Sequence, residues 1–378
     1  MTTPVYRGLT WDHPRGYRAL EAAAARIEPA RDGFALSWDR HSLEGFEERP
    51  IGEQCALYDL VVLDHPHVGE AMAADCLIPL EDLFSAEEIA GWNATVMGRS
   101  LSSYRYGGRH WAVPLDAATQ VMAWRRDAME RAPTTWEAVA SLSEKGGVAM
   151  SLSGPHAALS FQSICAAFGA TPVADGENFV DRDAGREAWN LFARLAARSP
   201  KALAAMNPIG ILEHMSAHDD VVLCPLVYGY VNYAPGGVLG FIDAPRVSAD
   251  GPVGSMLGGT GIGVSKRCAV TPELLDHLRW LMSAETQSGF IPDHEGQPSL
   301  QSAWRDAGVN ARWSGFYADT FATLEGASLR PRHDGAIAFQ TAASQRLRQG
   351  LEAGDGADAV LNHLQALFVR HRPRGAET

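Results

Sequence analysis

Residues 104–136, YRYGGRHWAVPLDAATQVMAWRRDAMERAPTTW, decide the fold that the sequence predicts. An aromatic- and glycine-rich turn leads into an apolar strand around Trp111–Val113. A polar segment follows at Asp116–Gln120, and a second apolar run, Val121–Trp124, continues to a helix start at 133–136. This order predicts a strand that leaves one domain, crosses a hinge and enters a second domain.

Strands and helices alternate before this crossing. Val5–Trp11 is predicted as a strand, a helix begins at Pro14, and Gly33–Trp38 alternates as a second strand. Tyr58–Leu63 is an almost continuous apolar run, typical of a buried parallel strand, and Val68–Ala74 follows as a helix. Such alternation indicates a parallel sheet with right-handed crossovers.

The part of the chain after the crossing continues this alternation. Val148–Leu152 and Asp220–Leu223 are predicted strands, and Gly254–Val264 is a predicted return crossing in which glycines let the backbone bend. Asn207 and Pro208 form a helix-start signal. The predicted helices are Ala157–Phe168, Asp181–Ala197, Pro208–Ala217, Thr271–Ala284, Glu285–Gly289, Pro298–Asp306, Ala336–Leu351 and Ala357–Arg370.

Four segments of the chain, through their residues and their order along the sequence, resemble one protein family. They are the crossing itself, the strand ending at Asp64-His65, the segment Asp175–Ala184 (DGENFVDRDA) before a helix, and the glycine-rich Gly258–Gly263. Over most of its length the chain resembles the family 1 extracellular solute-binding proteins of ABC importers. The resemblance implies an α/β, two-lobed periplasmic-binding-protein type 2 fold. Its mixed, mainly parallel sheets are flanked by helices, and its lobes close over a sugar or another polar solute.

The resemblance also implies the domain boundaries. Lobe 1 is expected at residues 1–113 plus 258–325, and lobe 2 at 117–254 plus 326–378. The hinge crossings are expected near 113–120 and 254–262.

Composition agrees with a globular, two-domain protein. The chain has 378 residues, of which 46% are hydrophobic and 20% charged. Its net charge of −13 argues against nucleic-acid binding, which needs basic surfaces. No apolar run approaches the roughly 20 residues that cross a bilayer. We expect a monomer without a cofactor.

The first residues, MTTPVYRGLTWDHPRG, lack the basic and apolar regions of a secretory leader. The sequence as written therefore favours the cytoplasm, and the alternative is an extracytoplasmic protein whose leader is missing from this chain. The five cysteines are scattered and without metal-site spacing, so they are interpreted as buried thiols: Cys55, Cys76, Cys165, Cys224 and Cys268.

The tripeptide Asp-His-Pro occurs twice, at 12–14 and 64–66, each time between a predicted strand and a predicted helix. Ligands of open α/β sheets gather at the carboxyl ends of strands, where helix N-termini favour anionic or oxygen-rich groups. The alternative is that the aspartates only cap helices and the histidines fill gaps. The predicted ligand contacts in this region are Trp11, Asp12, His13, Arg15, Arg40, Asp64 and His65.

Asp64-His65-Pro66-His67 also contains the H-x-H pattern that some metal-dependent hydrolases place at a strand end. Such a site needs further histidines and a carboxylate, and only His13 is an evident further donor. We therefore favour hydrogen-bonding histidines over a metal site.

The segment YGYVNY, residues 228–233, supplies the second predicted ligand surface. Sugar C–H faces stack on aromatic rings, and hydroxyl groups bond planar polar side chains. Its predicted contacts are Tyr228, Tyr230 and Asn232.

Further candidates lie in the crossings and in one loop. Asp116, Thr119 and Gln120 in the first crossing either contact solute or satisfy the backbone where the strand bends. Gly259 and Thr260 belong to the return crossing, whose glycines do not match a phosphate-binding loop. Glu295 lies in the polar loop 291–299, which is either a rim of the site or ordinary surface.

The sequence thus predicts a solute-binding protein for a sugar, a sugar acid or another carboxylate, with an ABC permease as a potential partner. The alternative is a cytoplasmic lyase, isomerase or hydrolase that uses an Asp-His pair as general acid or base.

Overall fold

The computed structural model describes residues 3–171 and 178–372. The chain divides into two compact units. Unit 1 comprises Met1–Ala117, Gly259–Arg312 and Arg332–Asp334, and unit 2 comprises Ala118–Gly258, Trp313–Pro331 and Gly335–Thr378. Residues 313–325, assigned to lobe 1 from the sequence, group with unit 2, where the ring of Phe316 lies 5.1 Å from that of Phe241. Within the described residues, no helix is long and apolar enough to span a bilayer.

The strands are β1 Val5–Trp11, β2 Ala35–His41, β3 Leu60–Leu63, β4 Leu77–Ile78, β5 Arg105–Tyr106, β6 Arg109–His110, β7 Val113–Arg125, β8 Leu223–Tyr228, β9 Leu239–Ile242 and β10 Leu257–Ser265.

The helices of the first 217 residues are α1 Pro14–Ala25, α2 Pro29–Asp32, α3 Leu43–Glu48, α4 Ile51–Leu57, α5 Val68–Ala73, α6 Ala86–Thr95, α7 Trp136–Ser143, α8 His156–Ala167, α9 Arg182–Arg198, α10 Lys201–Ala204 and α11 Pro208–Ala217. The later helices are α12 Pro272–Leu281, α13 Ile291–Asp293, α14 Gln301–Arg305, α15 Ala307–Arg312, α16 Phe316–Asp319, α17 Phe321–Glu325, α18 Ala336–Ala353 and α19 Ala357–His371. Short 3₁₀ turns span His65–His67, Leu80–Asp82, Ser102–Tyr104 and Val231–Tyr233, and a π-helical turn spans Thr286–Phe290.

The sheet of unit 1 is mixed. Strand β1 lies between β2 and β3 and is parallel to both, while β10 runs antiparallel to β3 and β4. All four residues of β3 are at most 1% exposed, as expected for a strand covered on both faces. Because β1, β2 and β3 are parallel neighbours, their carboxyl ends leave the same edge of this sheet.

The core of unit 2 is built by helices. Phenylalanine rings of α8, α9, α18 and α19 meet there: Phe161 lies 6.1 Å from Phe192, and Phe339 lies 5.4 Å from Phe368. All twelve residues of α8 are buried, so this helix forms the centre of the cluster. Helix α11 begins as predicted, with the Asn207 side chain accepting a hydrogen bond from the Gly210 backbone.

Two predicted strands of unit 2 differ in the structure. The predicted strand at 148–152 forms only an isolated bridge from Val148 to Leu223, because the Met150 N–H donates to the Ser199 hydroxyl and the Leu152 N–H to the Ala204 carbonyl. The strand predicted at 220–223 begins only at Leu223 and continues as β8 into the tyrosine-rich segment.

The first crossing also differs from its prediction. Strand β7 continues through the polar residues 116–120 without a break and pairs antiparallel with β8 and β9 in unit 2. Its irregularity is a register shift between Val121 and Ala123. Twelve of its thirteen residues are buried. The polar side chains at 116–120 are therefore buried as well, and they form hydrogen bonds with other residues of the protein. Of the segment resembling the family at 175–184, residues 175–177 lie outside the described residues.

Candidate functional site

The candidate residues fall into two groups, one in each unit. In unit 1 the first group follows β1. Trp11 is 3% exposed, its ring stacks on the His13 ring at 5.3 Å, and the Arg15 guanidinium lies 5.6 Å from its centre. Gly16 allows this packing, because a Cβ there would lie 2.5 Å from the indole. Trp11, His13 and Arg15 therefore form one compact cluster at the carboxyl end of β1.

His13 caps helix α1. Its Nδ1 accepts a hydrogen bond from the Arg15 backbone N–H at 3.2 Å, in the role that Asp12 has in the sequence interpretation. Burial, followed by the positive charges of Arg15 and Arg18, lowers the pKa of His13 to about 3. A neutral imidazole with that pKa is a weak base at neutral pH, so His13 does not fit the general base of the enzyme alternative.

Arg15 and Asp116 form a buried, bidentate ion pair within unit 1. The Arg15 Nε lies 2.8 Å from one Asp116 oxygen and a terminal nitrogen lies 2.5 Å from the other. The two side chains are 4% and 6% exposed. Two fork-to-fork bonds match the planar geometry of guanidinium and carboxylate. The structure thus joins two predicted ligand residues to each other.

Asp12 and Arg40 lie on the solvent side of the same strand ends. Arg40 bonds Glu21 at 2.5 and 2.9 Å, lies 3.4 Å from Asp12, and stacks over the Tyr17 ring. The Asp12 side chain is 59% exposed. The positive charge of Arg40 is therefore shared between two carboxylates, and Asp12 is a partner of Arg40 rather than of His13.

The second Asp-His-Pro segment follows β3, the neighbour of β1. Asp64 caps the 3₁₀ turn by accepting from the His65 N–H at 2.8 Å, and its carboxylate lies 3.1 Å from the His65 Nδ1. His65 and His67 are 0% and 2% exposed. Across residues 3–171 and 178–372, no three His, Cys, Asp or Glu side chains are arranged to hold a metal ion.

Glu295, Gly259 and Thr260 complete the candidates of unit 1. Glu295 has a left-handed backbone, with φ of 63°, and forms a salt bridge with Arg18 of α1. This pair ties the loop 291–299 to α1. Gly259 also has a positive φ, of 90°, and Thr260 is 4% exposed on β10.

In unit 2, Gln120 is held by serines. Its amide nitrogen donates to the Ser160 hydroxyl at 3.2 Å, and its side-chain oxygen accepts from the Ser163 hydroxyl at 2.6 Å. The Ser255 hydroxyl lies 2.5 Å from that of Thr119 and bonds the Gln120 carbonyl at 2.6 Å. Gln120 and Thr119 are thus members of one buried polar network that joins β7 to α8.

The tyrosine-rich segment extends from the end of β8. Tyr228 is half-buried, its hydroxyl donates to the Met256 carbonyl at 3.4 Å, and its ring meets the His156 ring at 6.1 Å. Tyr230 is 4% exposed and lies edge-on to Tyr233 at 6.5 Å, while Asn232 is half-buried. The segment thus offers aromatic rings and an amide from one short stretch of chain.

The sequence alone does not predict the partners of these residues. Ser160 and Ser163 lie one turn apart on α8, and His156 at the start of the same helix has its pKa lowered to about 3 by burial and then by the charge of Arg330. The signal in the sequence is the spacing: His156, Ser160 and Ser163 stand at positions i, i+4 and i+7 and mark one side of a helix whose other residues, apart from Gln162, are apolar.

The model of the family described as bacterial extracellular solute-binding protein matches residues 54–313. The chain belongs to this family. A search of curated proteins finds no match.

Solved structures of other solute-binding proteins share the fold of this family member. The ABC transporter solute-binding protein of Agrobacterium radiobacter K84, in complex with ribitol, is 18% identical, with a TM-score of 0.74 over 96% of this chain and 97% of its own. The GacH receptor of Streptomyces glaucescens GLA.O, solved unliganded and with acarbose, is 13% identical, with a TM-score of 0.79 over 98% of both chains.

UgpB of Mycobacterium tuberculosis, in complex with glycerophosphocholine, is 13% identical and has a TM-score of 0.77 over 98% of both chains. These similarities confirm the predicted two-lobed solute-binding-protein fold of mixed α/β architecture. Because the sequence identities are only 13–18%, these similarities establish the fold and not the ligand.

Proposed function

We propose that this solute-binding protein captures an uncharged polyhydroxyl solute, a sugar or a polyol, and presents it to an ABC permease. The sequence left sugars, sugar acids and other carboxylates open. The observation that carries the choice is the Arg15–Asp116 pair: the most buried cation at the carboxyl end of β1 already has a bidentate carboxylate partner.

The neighbouring cations support the same choice. Arg40 is bonded to Glu21 and lies near Asp12, and Arg18 is paired with Glu295. An anionic solute at these strand ends would compete with protein carboxylates for each of these guanidinium groups. A neutral solute with hydroxyl groups does not compete for a guanidinium in this way, so it can bind without separating any charge pair.

The tyrosine-rich segment of unit 2 fits such a solute. Phenol and amide groups donate and accept hydrogen bonds, and the Tyr228 ring offers an apolar face to sugar C–H groups. We assign solute contacts to Tyr228, Tyr230 and Asn232 in this unit, and to the Trp11–His13 cluster in unit 1.

Relatives of the same fold were solved with ribitol, tagatose and maltose, which are uncharged, whereas UgpB was solved with glycerophosphocholine. These ligands make a suitable test panel. Thermal-shift and calorimetric titrations should compare ribitol, tagatose and maltose with gluconate, glucarate and glycerophosphocholine. A solute at 100 times its Kd stabilises the folded protein by about 2.7 kcal/mol, which is readily measured as a rise in Tm.

The matched variants are Asn232→Ala and Asn190→Ala, the latter an exposed asparagine of α9 in the same unit. We expect the first to weaken binding of the neutral solute at least tenfold and the second to leave it unchanged. Binding of anionic solutes alone would refute the proposed ligand class. Mass analysis of the recovered solute tests the enzyme alternative, which requires that the solute be chemically altered.

A further inference from the structure

Two of the five cysteines meet in the core of unit 1. Cys55 belongs to α4 and is 4% exposed, and Cys76 is half-buried and immediately precedes β4. Both pack in the same apolar cluster, with Val61 and Leu77 among its members. The segments that carry the two thiols are in contact, because a Cβ at Gly52 of α4 would lie 3.4 Å from the Ala74 Cβ. The two thiols also influence each other's pKa.

The backbone fixes both thiols in place. The Cys76 N–H donates to the Ala71 carbonyl at 3.2 Å, and the Lys266 N–H donates to the Cys76 carbonyl at 2.9 Å. The Cys76 sulfur itself lies 3.6 Å from the Ala71 carbonyl oxygen. Cys55 is held on α4, which packs against α5 and β3. The pair is therefore anchored by secondary structure on both sides and is not a chance approach of two mobile side chains.

The two thiols have different chemical character. The interaction with the Cys55 thiol lowers the pKa of Cys76, although burial opposes this effect. The interaction with the Cys76 thiol, together with burial, raises the pKa of Cys55. Cys76 is also the more accessible of the two. It is thus the thiol suited to attack an external disulfide, with Cys55 as the group that resolves the intermediate.

We propose that Cys55 and Cys76 are an oxidisable pair that closes to an intramolecular disulfide in the presence of a disulfide-bearing oxidant of the thiol–disulfide oxidoreductase or glutathione class. The family to which the chain belongs is extracellular, and disulfides persist in oxidising compartments. This inference does not depend on the identity of the solute.

The chemistry balances as two thiol–disulfide exchanges. The Cys76 thiolate attacks one sulfur of the oxidant, forming a mixed disulfide and releasing the other sulfur of the oxidant as a thiolate. The Cys55 sulfur then loses its proton to solvent, attacks the Cys76 sulfur and releases the second oxidant thiolate. The protein loses two electrons and two protons, and the oxidant disulfide is reduced to two thiols.

The other cysteines serve as internal controls. Cys165 and Cys224 are 0% exposed in unit 2, and burial raises the pKa of both thiols, that of Cys224 to about 12. Burial also raises the pKa of Cys268 in unit 1 to about 12. These three thiols are expected to stay reduced.

The test equilibrates the full-length reduced protein with glutathione disulfide, blocks remaining thiols under denaturing conditions and counts them by mass. We expect three free thiols, compared with five in the reduced protein. Trypsin leaves both cysteines in the peptide 41–99, because the bond after Arg49 precedes a proline. A second cleavage, after Glu70, cuts this peptide between the two cysteines. A disulfide would hold the two fragments together, so they should separate only after reduction.

Thermal unfolding supplies a second readout, because a disulfide restricts the unfolded chain. We expect reduction to lower the Tm of the oxidised protein by about 5 °C or more. Cys76→Ser should remove this reduction-dependent shift, and the matched Cys268→Ser should keep it. Five free thiols after equilibration, a persistent glutathione adduct on Cys76, or pairing with another cysteine would overturn the proposal. Solute binding is measured separately and can fail or succeed independently.

Discussion

The Asp116→Ala substitution separates a structural from a ligand-binding role for the buried ion pair. It removes the carboxylate that holds the Arg15 guanidinium with two bonds of 2.5 and 2.8 Å. The remaining guanidinium is 4% exposed and cannot recover its hydration without disturbing the Trp11–His13 cluster. Breaking a buried pair in this way costs about 3–5 kcal/mol.

This free energy converts to a large thermal shift. For domains of 150–250 residues, 1 kcal/mol corresponds to about 2–4 °C in Tm, so we expect unit 1 to unfold about 6–20 °C lower in the variant. The assay is differential scanning calorimetry without solute, supported by urea unfolding. The matched control is Asp39→Asn, which breaks an Arg7–Asp39 pair of similar length, 2.6 Å, whose side chains are 54% and 45% exposed. We expect a much smaller shift there, because solvent screens exposed pairs.

The double variant Arg15→Met, Asp116→Leu gives a second test of the buried-charge argument. Replacing both charges by apolar groups of similar volume removes the unpaired charge, so most of the lost stability should return. An Asp116→Ala variant that unfolds within 1 °C of the wild type, a shift of well under 1 kcal/mol, would refute the buried-charge argument. If that variant also lost solute binding, Asp116 would have to be a direct ligand contact.

Four further substitutions probe the rest of the fold. Gln120→Leu leaves the Ser163 hydroxyl without its acceptor and should cost about 1–3 kcal/mol in urea unfolding. Gly69→Ala should destabilise strongly, because its Cβ would lie 2.1 Å from a backbone oxygen, whereas Gly91→Ala, with nothing within 4 Å, should be neutral or stabilising in a Tm measurement. His13 stays neutral when folded because its pKa is lowered to about 3, so stability is retained above pH 6.5 and lost as the pH falls towards 3. Between pH 7.5 and 5.0 this loss is about 2 kcal/mol in urea titrations, and His13→Asn, which keeps a capping acceptor, should remove it.

Local signals in the sequence predict much of the framework. Val5–Trp11 is a strand with the predicted bounds, and helix α11 starts at Pro208 behind its Asn207 cap. Both depend on neighbouring residues alone: an apolar strand that ends before a proline, and a side-chain oxygen placed before the first free N–H groups of a helix. Such features need no knowledge of distant partners, which is why the sequence suffices for them.

The polar residues of β7 show where this reasoning fails. The sequence predicts that Asp116 and Gln120 interrupt a strand, because polar residues usually mark bends or surfaces. In the structure both lie within a continuous strand. Arg15 neutralises the Asp116 carboxylate, and the Ser163 hydroxyl donates a hydrogen bond to the Gln120 side chain. These partners are 101 and 43 positions away in sequence. Long-range satisfaction of buried polar groups is therefore the part of the candidate site that local pattern could not reveal.

The same long-range pairing bears on why Arg15 and Asp116 are charged at all. An apolar pair of similar volume would be about as stable as a buried ion pair, so stability alone does not account for this one. A bidentate pair does, however, fix both side chains in one orientation and cancel their charges at the carboxyl end of β1. Cancelled charge makes a site unfavourable for an anion, which would have to displace Asp116, while leaving oriented polar atoms for hydroxyl groups. On this argument Asp116→Ala, which leaves the Arg15 guanidinium without its carboxylate, should gain affinity for anionic solutes, whereas the double variant Arg15→Met, Asp116→Leu should keep the fold and gain none.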